Sequence, residues 1–430
     1  MTYIERIPVD RGATDRHRRK DSLPVCSPET EKKLGSVGTH RPLGAIVLGG
    51  AHGAIALARV LARQKLDVWF LAHDTPLPRF SRAVAHWRNW PGAEDPGAID
   101  ILEDIVRREK LEGYLLIPAA DADVKFAAQA HARLSRHLNV LLPDWSSLQR
   151  AVDKAQAYRL AAELGLAVPE VYPVHSRADA ADMPVRFPVA LKPAMRIAHN
   201  RFTSDKVWRA DDRENFMRLY ADAASLVGPE CVVVQELVPG GGECQLSYAA
   251  LWWQGRPVTS FVAQRTRQYP IDFSYTSTFV ETIESEDVRQ AAETFLSSIG
   301  HHGLCEIEFK RDPRSGVLKL LDVNPRPWSW FGLADAAGVD FGAAIVSLAT
   351  GHSPPPLPAR AGVGWMFGQR DPVVALQLAL AGRLDVGGWL ASLARTRTFA
   401  SLSLRDPLPG VMDLPLTVLR VLARKLGSRR

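Results

Sequence analysis

Hydrophobic and polar positions in the first third of the chain alternate between short apolar runs and longer stretches with helical spacing. A glycine-rich stretch at 49–53 directly follows the first apolar run, and a helical pattern then continues to Leu61. The apolar runs lie at 44–48, 67–71, 114–117 and 140–142. Strands that alternate with helices in this order predict a parallel α/β sheet.

The pattern changes after a helical stretch at 146–164, where an extended run begins at Pro169. From residue 185 to residue 323, short runs separated by turn residues predict an antiparallel sheet interrupted by two helices. We expect strands at 187–191, 231–237, 246–253, 260–264, 304–309 and 317–323, and helices at 211–226 and 287–299. An α+β domain is therefore expected to follow the parallel α/β domain.

The two ends of the chain differ from the middle. The first forty residues mix charge, Pro, Gly and Ser without apolar periodicity, which argues for disorder. Beyond residue 351 the sequence is Pro-rich and then helical, and 414–426 carries an apolar stripe with Arg420, Arg424 and Lys425 on the other side. A membrane-surface role for this helix is conceivable. Packing against the body is the interpretation that we favour.

These patterns divide the chain into four parts. We expect a disordered basic tail at 1–41, an α/β domain at 42–143, a second domain at 144–350 with a lid subdomain near 170–235, and a C-terminal extension at 351–430. The predicted fold class is α/β, with a doubly wound parallel domain, then a domain of two α+β subdomains, then a helical extension.

The net charge of +6 over 430 residues is concentrated at the two ends. Residues 1–41 contribute +3 and residues 394–430 contribute +6, which leaves −3 for residues 42–393. A slightly acidic body offers no basic groove, so a nucleic-acid partner is not expected. No apolar run approaches the roughly 20 residues that span a bilayer, and the N-terminus lacks the apolar core of a signal peptide. We therefore expect a cytoplasmic protein without stable membrane insertion.

Acidic and apolar residues alternate on two predicted strands that a turn near Ser315 would pair. With the turn centred there, Glu308 lies opposite Asp322 and Glu306 lies opposite Asn324. The other face would be buried and hold Cys305, Ile307, Phe309, Leu321 and Val323. Carboxylates that face one another repel unless a cation lies among them, and all-oxygen ligands suit magnesium. The alternative is a solvated polar face, which usually mixes Lys with Glu.

The next basic residue extends this pattern. Arg326, just past the second strand, would present a bidentate donor to a phosphate or carboxylate beside the metal. Here the chain resembles the ATP-grasp superfamily, in which an acidic residue on one strand is followed by acidic-x-Asn-x-Arg on the next. The resemblance implies Glu308, Asp322 and Asn324 as magnesium ligands and Arg326 as a catalytic residue. The family usually has Glu at the position of Asp322, which preserves the type of ligand, and Glu306 remains a neighbour without an assigned role.

The same resemblance, which runs from about residue 44 to residue 351, implies two lysines that contact the nucleotide. Lys192 ends an apolar strand and is expected to reach the ATP phosphates, although alone it would be read as a surface lysine. Lys154, at the start of a helix, resembles an earlier nucleotide-contacting basic residue of the family.

Three consecutive residues, Gln235, Glu236 and Leu237, resemble the hinge strand whose backbone pairs with adenine. Glu243 is implied to accept hydrogen bonds from the ribose hydroxyls. Taken singly, each of these acids would more often be a surface residue.

The stretch at 194–206 departs from the family, because it contains no glycine where a glycine-rich loop is common. Arg196, Arg201 or Lys206 could supply positive charge in its place. We expect a mobile basic lid over the triphosphate.

Substrate contacts are expected around the acidic face and at the first glycine-rich loop. The candidates are Arg265, Arg267 and Tyr269, with Trp328 and Trp330 beyond Arg326. Arg265 and Arg267 are also predicted to be catalytic residues, together with Arg326. The loop at 49–53 lacks the full G-x-G-x-x-G spacing of a dinucleotide site. The resemblance implies instead that it helps to bind the acceptor or acyl substrate.

The function that follows is an ATP-dependent carboxylate–amine ligase that forms an amide or peptide bond through an acyl phosphate. Its expected cofactors are ATP and Mg²⁺, with Mn²⁺ as a possible substitute. Its expected partners are small carboxylate and amine substrates such as amino acids, and a homodimer is one possible assembly. The alternatives are a nucleotide-binding regulatory module without turnover and a dinucleotide-dependent oxidoreductase.

Overall fold

The computed structural model describes residues 44–427 except 74, 194–199, 206, 272–275 and 353–357. The predicted tail at 1–41 and most of the predicted lid at 194–206 lie outside the described residues. The strands are β1 Gly44–Leu48, β2 Asp67–Ala72, β3 His86–Asn89, β4 Leu115–Pro118, β5 Asn139–Val140, β6 Val171–Tyr172, β7 Val189–Pro193, β8 Trp208–Ala210, β9 Val232–Glu236, β10 Gln245–Trp253, β11 Arg256–Tyr269, β12 Thr276–Ile283, β13 Gly303–Arg311, β14 Leu318–Asn324, β15 Gly364–Met366 and β16 Thr396–Phe399.

Helices of very different length connect these strands. They are α1 His52–Arg63, α2 Ala98–Arg108, α3 Asp121–Gln129, α4 His131–Leu134, α5 Trp145–Val152, α6 Lys154–Glu163, α7 Arg177–Asp182, α8 Arg201–Asp205, α9 Arg213–Val227, α10 Glu286–Ser298, α11 Gly332–Ala337, α12 Phe341–Ala349, α13 Asp371–Leu380, α14 Val386–Arg395 and α15 Leu408–Gly427. Short 3₁₀ turns lie at Leu77–Phe80, Pro229–Cys231 and Gly242–Cys244.

The first five strands form a parallel sheet in the order β3-β2-β1-β4-β5. Alternate residues of β1 enter different cores, because side chains on a strand point to opposite faces. Val47 packs with α1 on one face, and Ile46 packs with α2 and α3 on the other. The predicted doubly wound parallel domain is confirmed.

A seven-stranded sheet follows, in the order β14-β13-β10-β11-β12-β15-β16. All its pairs are antiparallel except β15 with β16. One face, with Tyr248, packs on α10, while the other, with Leu251, shares a core with α1, α11 and α12. The parallel domain and this sheet are therefore joined through a common apolar core.

A smaller antiparallel sheet in the order β6-β9-β7-β8 carries α7 and α9 on one face. It meets the β13–β14 hairpin through a salt bridge of 2.6 Å between Glu236 on β9 and Lys319 on β14. This contact holds the two antiparallel sheets together at one rim of the cleft between them.

The helical stretch predicted at 146–164 consists of two helices, α5 and α6, which are separated at Asp153. The backbone of Asp153 is extended, and its side chain accepts a hydrogen bond of 3.0 Å from the Gln156 N–H. An aspartate that caps a new helix in this way ends the previous one. The break places Lys154 on the first turn of α6.

The C-terminal region contains the predicted helices and also the short strands β15 and β16, which the sequence pattern did not indicate. Few residues of α15 are buried, and they include Gly410 and Asp413. The apolar stripe that we expected to pack on the body is exposed, with Leu414 and Leu419 each about three-fifths accessible. No helix among the described residues is long and apolar enough to cross a bilayer.

Candidate active site

The acidic face of the β13–β14 hairpin has the register predicted from the sequence. Glu308 pairs with Asp322, and Glu306 pairs with Asn324. A bulge next to Glu308 then brings Leu320 opposite Phe309. Leu320 is therefore the buried residue, and the expectation that Leu321 lies on the buried face is wrong.

The two glutamates of this face differ in charge state. Burial, together with the negative charge of Glu308, raises the pKa of Glu306 to about 7, and its carboxyl accepts a hydrogen bond of 2.9 Å from Ser247. Burial also raises the pKa of Glu308, but the charge and hydrogen bond of Arg265, with the charges of Lys154 and Arg326, together hold that pKa below its ordinary value. The pair is arranged so that Glu308 carries the negative charge.

Arg265 spans from β11 to the acidic face. Its Nε donates to the Ser277 hydroxyl at 2.7 Å, and its Nη1 forms an ion pair with Glu308. Burial lowers the pKa of this guanidinium, but the charges of Glu308 and Glu306, the hydrogen bond to Glu308 and the charge of Asp322 together hold it above its ordinary value. Arg265 therefore stays charged although only 7% of it is exposed.

Arg267, predicted as catalytic with Arg265, has different neighbours. Its Nε and Nη2 bind the two carboxylate oxygens of Asp371 at 2.8 and 2.9 Å, and Nη2 also donates to Ser392 at 2.8 Å. The register of β11 against β12 shifts between Gln264 and Arg267, so the two arginines do not share partners. These contacts give Arg267 a structural role in holding α13 and α14.

Two lysines face the acidic residues from the other side of the cleft. Lys154 Nζ lies 3.6 Å from Asp322, and although burial lowers the pKa of Lys154, Asp322, Tyr158 and Glu308 together hold that pKa above its ordinary value. Burial and then the charge of Lys154 lower the pKa of Lys192 to about 7, against the attraction of Asp322 and Glu308. Positive side chains from α6 and β7 thus converge on the carboxylates of β13 and β14.

Arg326 closes the site on the side of the parallel domain. Its guanidinium pairs with Asp121 at the start of α3 and donates to Asn324 Oδ1 at 3.1 Å. Burial lowers the pKa of Arg326, but Asp121, Glu306 and Asp322 together hold that pKa above its ordinary value. The loop that leads from β4 to α3 is therefore a wall of the site, which the sequence alone did not indicate.

The predicted adenine-binding residues lie at the end of β9. The N–H groups of Glu236 and Leu237 donate to the carbonyls of Glu170 and Pro188 at 2.7 and 3.3 Å. The Glu236 carboxylate is bound by Lys319. Gln235 is buried, and its side-chain oxygen has no partner among the described residues.

Glu243, predicted to bind ribose, lies in a short 3₁₀ turn against β11. Its carboxylate accepts a hydrogen bond of 2.7 Å from the Gly241 N–H. Lys310 lies beside it, with a pKa lowered by burial although Glu243 attracts its charge. Lys310 was given no role from the sequence, although it continues the alternation of Glu306 and Glu308 along β13.

Several other predicted substrate or phosphate contacts lie elsewhere. Trp328 and Trp330 are each 1% exposed in an aromatic cluster with Phe261, so their assignment as substrate contacts is wrong. Arg201 pairs with Asp222 of α9 at 2.9 Å. Tyr269 is partly exposed at the end of β11. Arg196 and Lys206 lie outside the described residues.

The glycine-rich loop at 49–53 is used for packing between domains. A Cβ atom on Gly53 would lie 2.7 Å from the carbonyl oxygen of Trp328, so only glycine allows this approach. His52 Nε2 lies 2.9 Å from a carboxylate oxygen of Asp413 in α15. These contacts give no support to a dinucleotide site at this loop.

The donor set of the acidic face fits magnesium in one specific way. Among the described residues, no group of three or more His, Cys, Asp or Glu is placed to hold a metal by itself. Magnesium in nucleotide sites is commonly held through one or two carboxylates together with phosphates and water. Glu308 and Asp322, 25% and 48% exposed toward the cleft, match that pattern.

Comparison with known proteins places this geometry in context. No protein-family model matches the chain. The chain is 24% identical over 297 residues to a D-aspartate ligase of Enterococcus faecium, a match that covers 65% of this chain and 70% of that one.

Solved structures share the fold at lower identity. An L-amino acid ligase from Bacillus licheniformis aligns with a TM-score of 0.54 and 17% identity, over 72% of this chain and 75% of that one. A biotin carboxylase domain from Hydrogenobacter thermophilus, solved with MgADP, aligns with a TM-score of 0.58 and 13% identity, over 76% and 74% of the two chains. The chain is therefore similar in sequence to a D-aspartate ligase, and it shares its fold with an L-amino acid ligase and a biotin carboxylase domain.

Proposed function

We propose that the protein is an ATP-dependent ligase that joins a small carboxylic acid to an amine through an acyl phosphate. The observation that carries the proposal is the convergence of Lys154 and Lys192 on Glu308 and Asp322 across the cleft between the two antiparallel sheets. Such an arrangement places cations for phosphates beside carboxylates for a divalent metal.

The two lysines would hold the phosphates of ATP. Lys192 has a pKa of about 7 in the free protein, and a nearby polyanion would raise that pKa and keep the ammonium charged. The end of β9, at Gln235, Glu236 and Leu237, would contact adenine, and the unpartnered side-chain oxygen of Gln235 can accept a hydrogen bond there. Glu243 would bind the ribose.

Glu308, Asp322 and Asn324 would hold Mg²⁺, with Mn²⁺ as a substitute. The metal would supply neutralisation of the charge on the phosphates. Arg265 and Lys154 balance the same carboxylates in the free protein, so the acidic residues stay close together without a metal.

The reaction has two steps that conserve all atoms. A carboxylate oxygen of the first substrate attacks the γ-phosphorus, and ADP leaves with the electrons of the broken P–O bond. The amine then attacks the acyl carbon, inorganic phosphate leaves, and the amine loses a proton. Arg326 is placed to balance the charge of the phosphoryl group, because it is the last residue of the acidic-x-Asn-x-Arg pattern and lies at the cleft.

Amino acids are the substrate class that we propose. The support is that one relative is a D-aspartate ligase and one structural neighbour is an L-amino acid ligase. We also propose that the enzyme works in the cytoplasm, where ATP is available.

The test measures ADP release by the purified protein with pairs of amino acids. Glu308→Gln and Asp322→Asn should each reduce amine-dependent ADP release by about 100-fold or more, because preorganised charge at the phosphates is lost. Glu286→Gln, on the exposed first turn of α10, is the matched control and should keep full activity. ADP release that is unchanged in both site variants would refute the assignment, and ATP binding without turnover on any pair would favour a regulatory module.

A further inference from the structure

The C-terminal helices expose an unusual amount of apolar surface. Of the twenty large apolar side chains exposed among the described residues, fifteen lie between Val373 and Leu422. Leu380 is 81% exposed, and Leu404, in the loop before α15, is fully exposed. Soluble monomers rarely show contiguous apolar patches above a few hundred Å², so this surface is a candidate for contact with a partner.

The exposed residues form stripes rather than a random scatter. On α13 the stripe is Val373, Leu376 and Leu380, on α14 it is Val386, Leu390 and Leu393, and on α15 it is Leu408, Val411, Leu414, Val418, Leu419 and Leu422. Residues spaced by three or four share one face of a helix. Each helix therefore buries one face against the body and presents an apolar face to the outside.

The three helices are neighbours. Trp389 of α14 donates to Asp371 of α13 at 3.2 Å, and Arg267 binds residues of both helices. Gln369, two residues before α13, donates to the carbonyl of Gly410 in α15 at 3.2 Å. We name the exposed apolar stripes of α13, α14 and α15, with Leu402 and Leu404, the C-terminal apolar face.

In this region most carboxylates are buried and paired, whereas several arginines are exposed. Asp371, Asp406 and Asp413 are buried and bound by Arg267, Arg59 and His52. The remaining carboxylate, Asp385, caps α14. The segment 394–430 contains eight Lys or Arg. Among the described residues, no carboxylate forms an ion pair with Arg397, Arg405 or Arg420, all of which are exposed.

We propose that the C-terminal apolar face docks on an anionic lipid surface, with α15 lying in the plane of the interface. Leucine and valine side chains would enter the boundary of the acyl chains, while arginines meet the acidic headgroups. A second copy of this chain is a poorer partner, because a two-fold contact uses the same surface of both copies and would bring together two regions that each carry unpaired arginines.

The experiment is co-sedimentation of the full chain with vesicles at physiological salt. Vesicles of phosphatidylcholine with about one third phosphatidylglycerol should bind the protein, and vesicles of phosphatidylcholine alone should not. A triple variant, Leu376→Asp, Leu390→Asp and Leu419→Asp, should lose binding by more than about tenfold. Arg405→Glu and Arg420→Glu should each weaken binding by about fivefold.

Ile101→Asp on α2 is the matched control, since Ile101 is an exposed apolar residue of the parallel domain. It should bind anionic vesicles like the unaltered protein, and all variants should keep the same ATP turnover in solution. Absence of binding by the intact chain, or equal binding by the triple variant, would overturn the proposal. So would sedimentation velocity showing a dimer that the triple variant dissociates, with no vesicle binding.

Discussion

Glu306 and Glu308 lie two residues apart on one face of β13, yet their pKa values are shifted in opposite directions. Glu306 is buried and Glu308 is 25% exposed, and only Glu308 forms an ion pair with Arg265. Because two adjacent carboxylates cannot both ionise cheaply, the negative charge of Glu308 makes ionisation of Glu306 harder. The strand therefore carries one anion and one group that titrates near neutrality.

Stability should fall as the pH rises through the titration of Glu306. The folded protein binds this proton up to about pH 7, whereas the ordinary value is 4.5, so the folded state holds more protons between these limits. We expect Glu306→Gln to gain about 1–3 kcal/mol of stability relative to the unaltered protein at pH 8 and much less at pH 4.5. Urea denaturation at both pH values measures this difference.

Glu112→Gln, in an exposed turn of the parallel domain, is the control and should show the same small effect at both pH values. A Glu306→Gln variant whose relative stability is independent of pH would contradict the assignment.

Binding of ATP should take up a proton near neutral pH, through Lys192. Its pKa of about 7 in the free protein should rise when phosphates bind. We therefore expect the affinity for ATP to weaken above pH 7, by up to about tenfold per pH unit. Calorimetry in buffers of different ionisation enthalpy measures the proton uptake directly.

Lys192→Arg should retain binding but lose this proton uptake, because arginine stays charged at all these pH values. If uptake persists in Lys192→Arg, another group supplies it.

Activity should be lost less when Asp322 is replaced by glutamate than when it is replaced by asparagine. Asp322→Glu keeps the carboxylate opposite Glu308 and should retain at least about a tenth of the activity, whereas Asp322→Asn should lose about 100-fold. Titrations of ADP release with magnesium should show weaker metal binding, that is, a higher Mg²⁺ concentration at half-maximal activity, only for Asp322→Asn. Equal loss in both variants would mean that packing, not charge, sets the effect.

How much of this site the sequence predicts depends on how local each contact is. The pairing of Glu308 with Asp322 follows from a short turn and the two-residue period of strands, and it is confirmed. The contact between Arg326 and Asp121 joins residues 205 apart, and no local pattern encodes it.

Irregular strands account for the other differences. The bulge beside Glu308 exchanges the burial of Leu320 and Leu321. The strands β15 and β16 are only three and four residues long. They pair with the edge of an existing sheet, and segments this short give no clear strand pattern of their own.

The buried ion pair between Arg267 and Asp371 should affect the stability of the protein and not its catalysis. Both side chains are almost fully buried, at 8% and 0% exposure, and 104 residues separate them in sequence. Removal of one partner leaves an unpaired buried charge, so Arg267→Met and Asp371→Asn should each destabilise the protein by about 3–5 kcal/mol. Joint replacement of Arg267 by Met and Asp371 by Leu should cost much less stability than the sum of the two single changes.

Urea denaturation of the four proteins gives the coupling energy. In every folded variant, kcat and KM at low temperature should stay within about twofold of the unaltered enzyme. A large loss of kcat in a stably folded Arg267→Met variant would instead support the catalytic role predicted for Arg267.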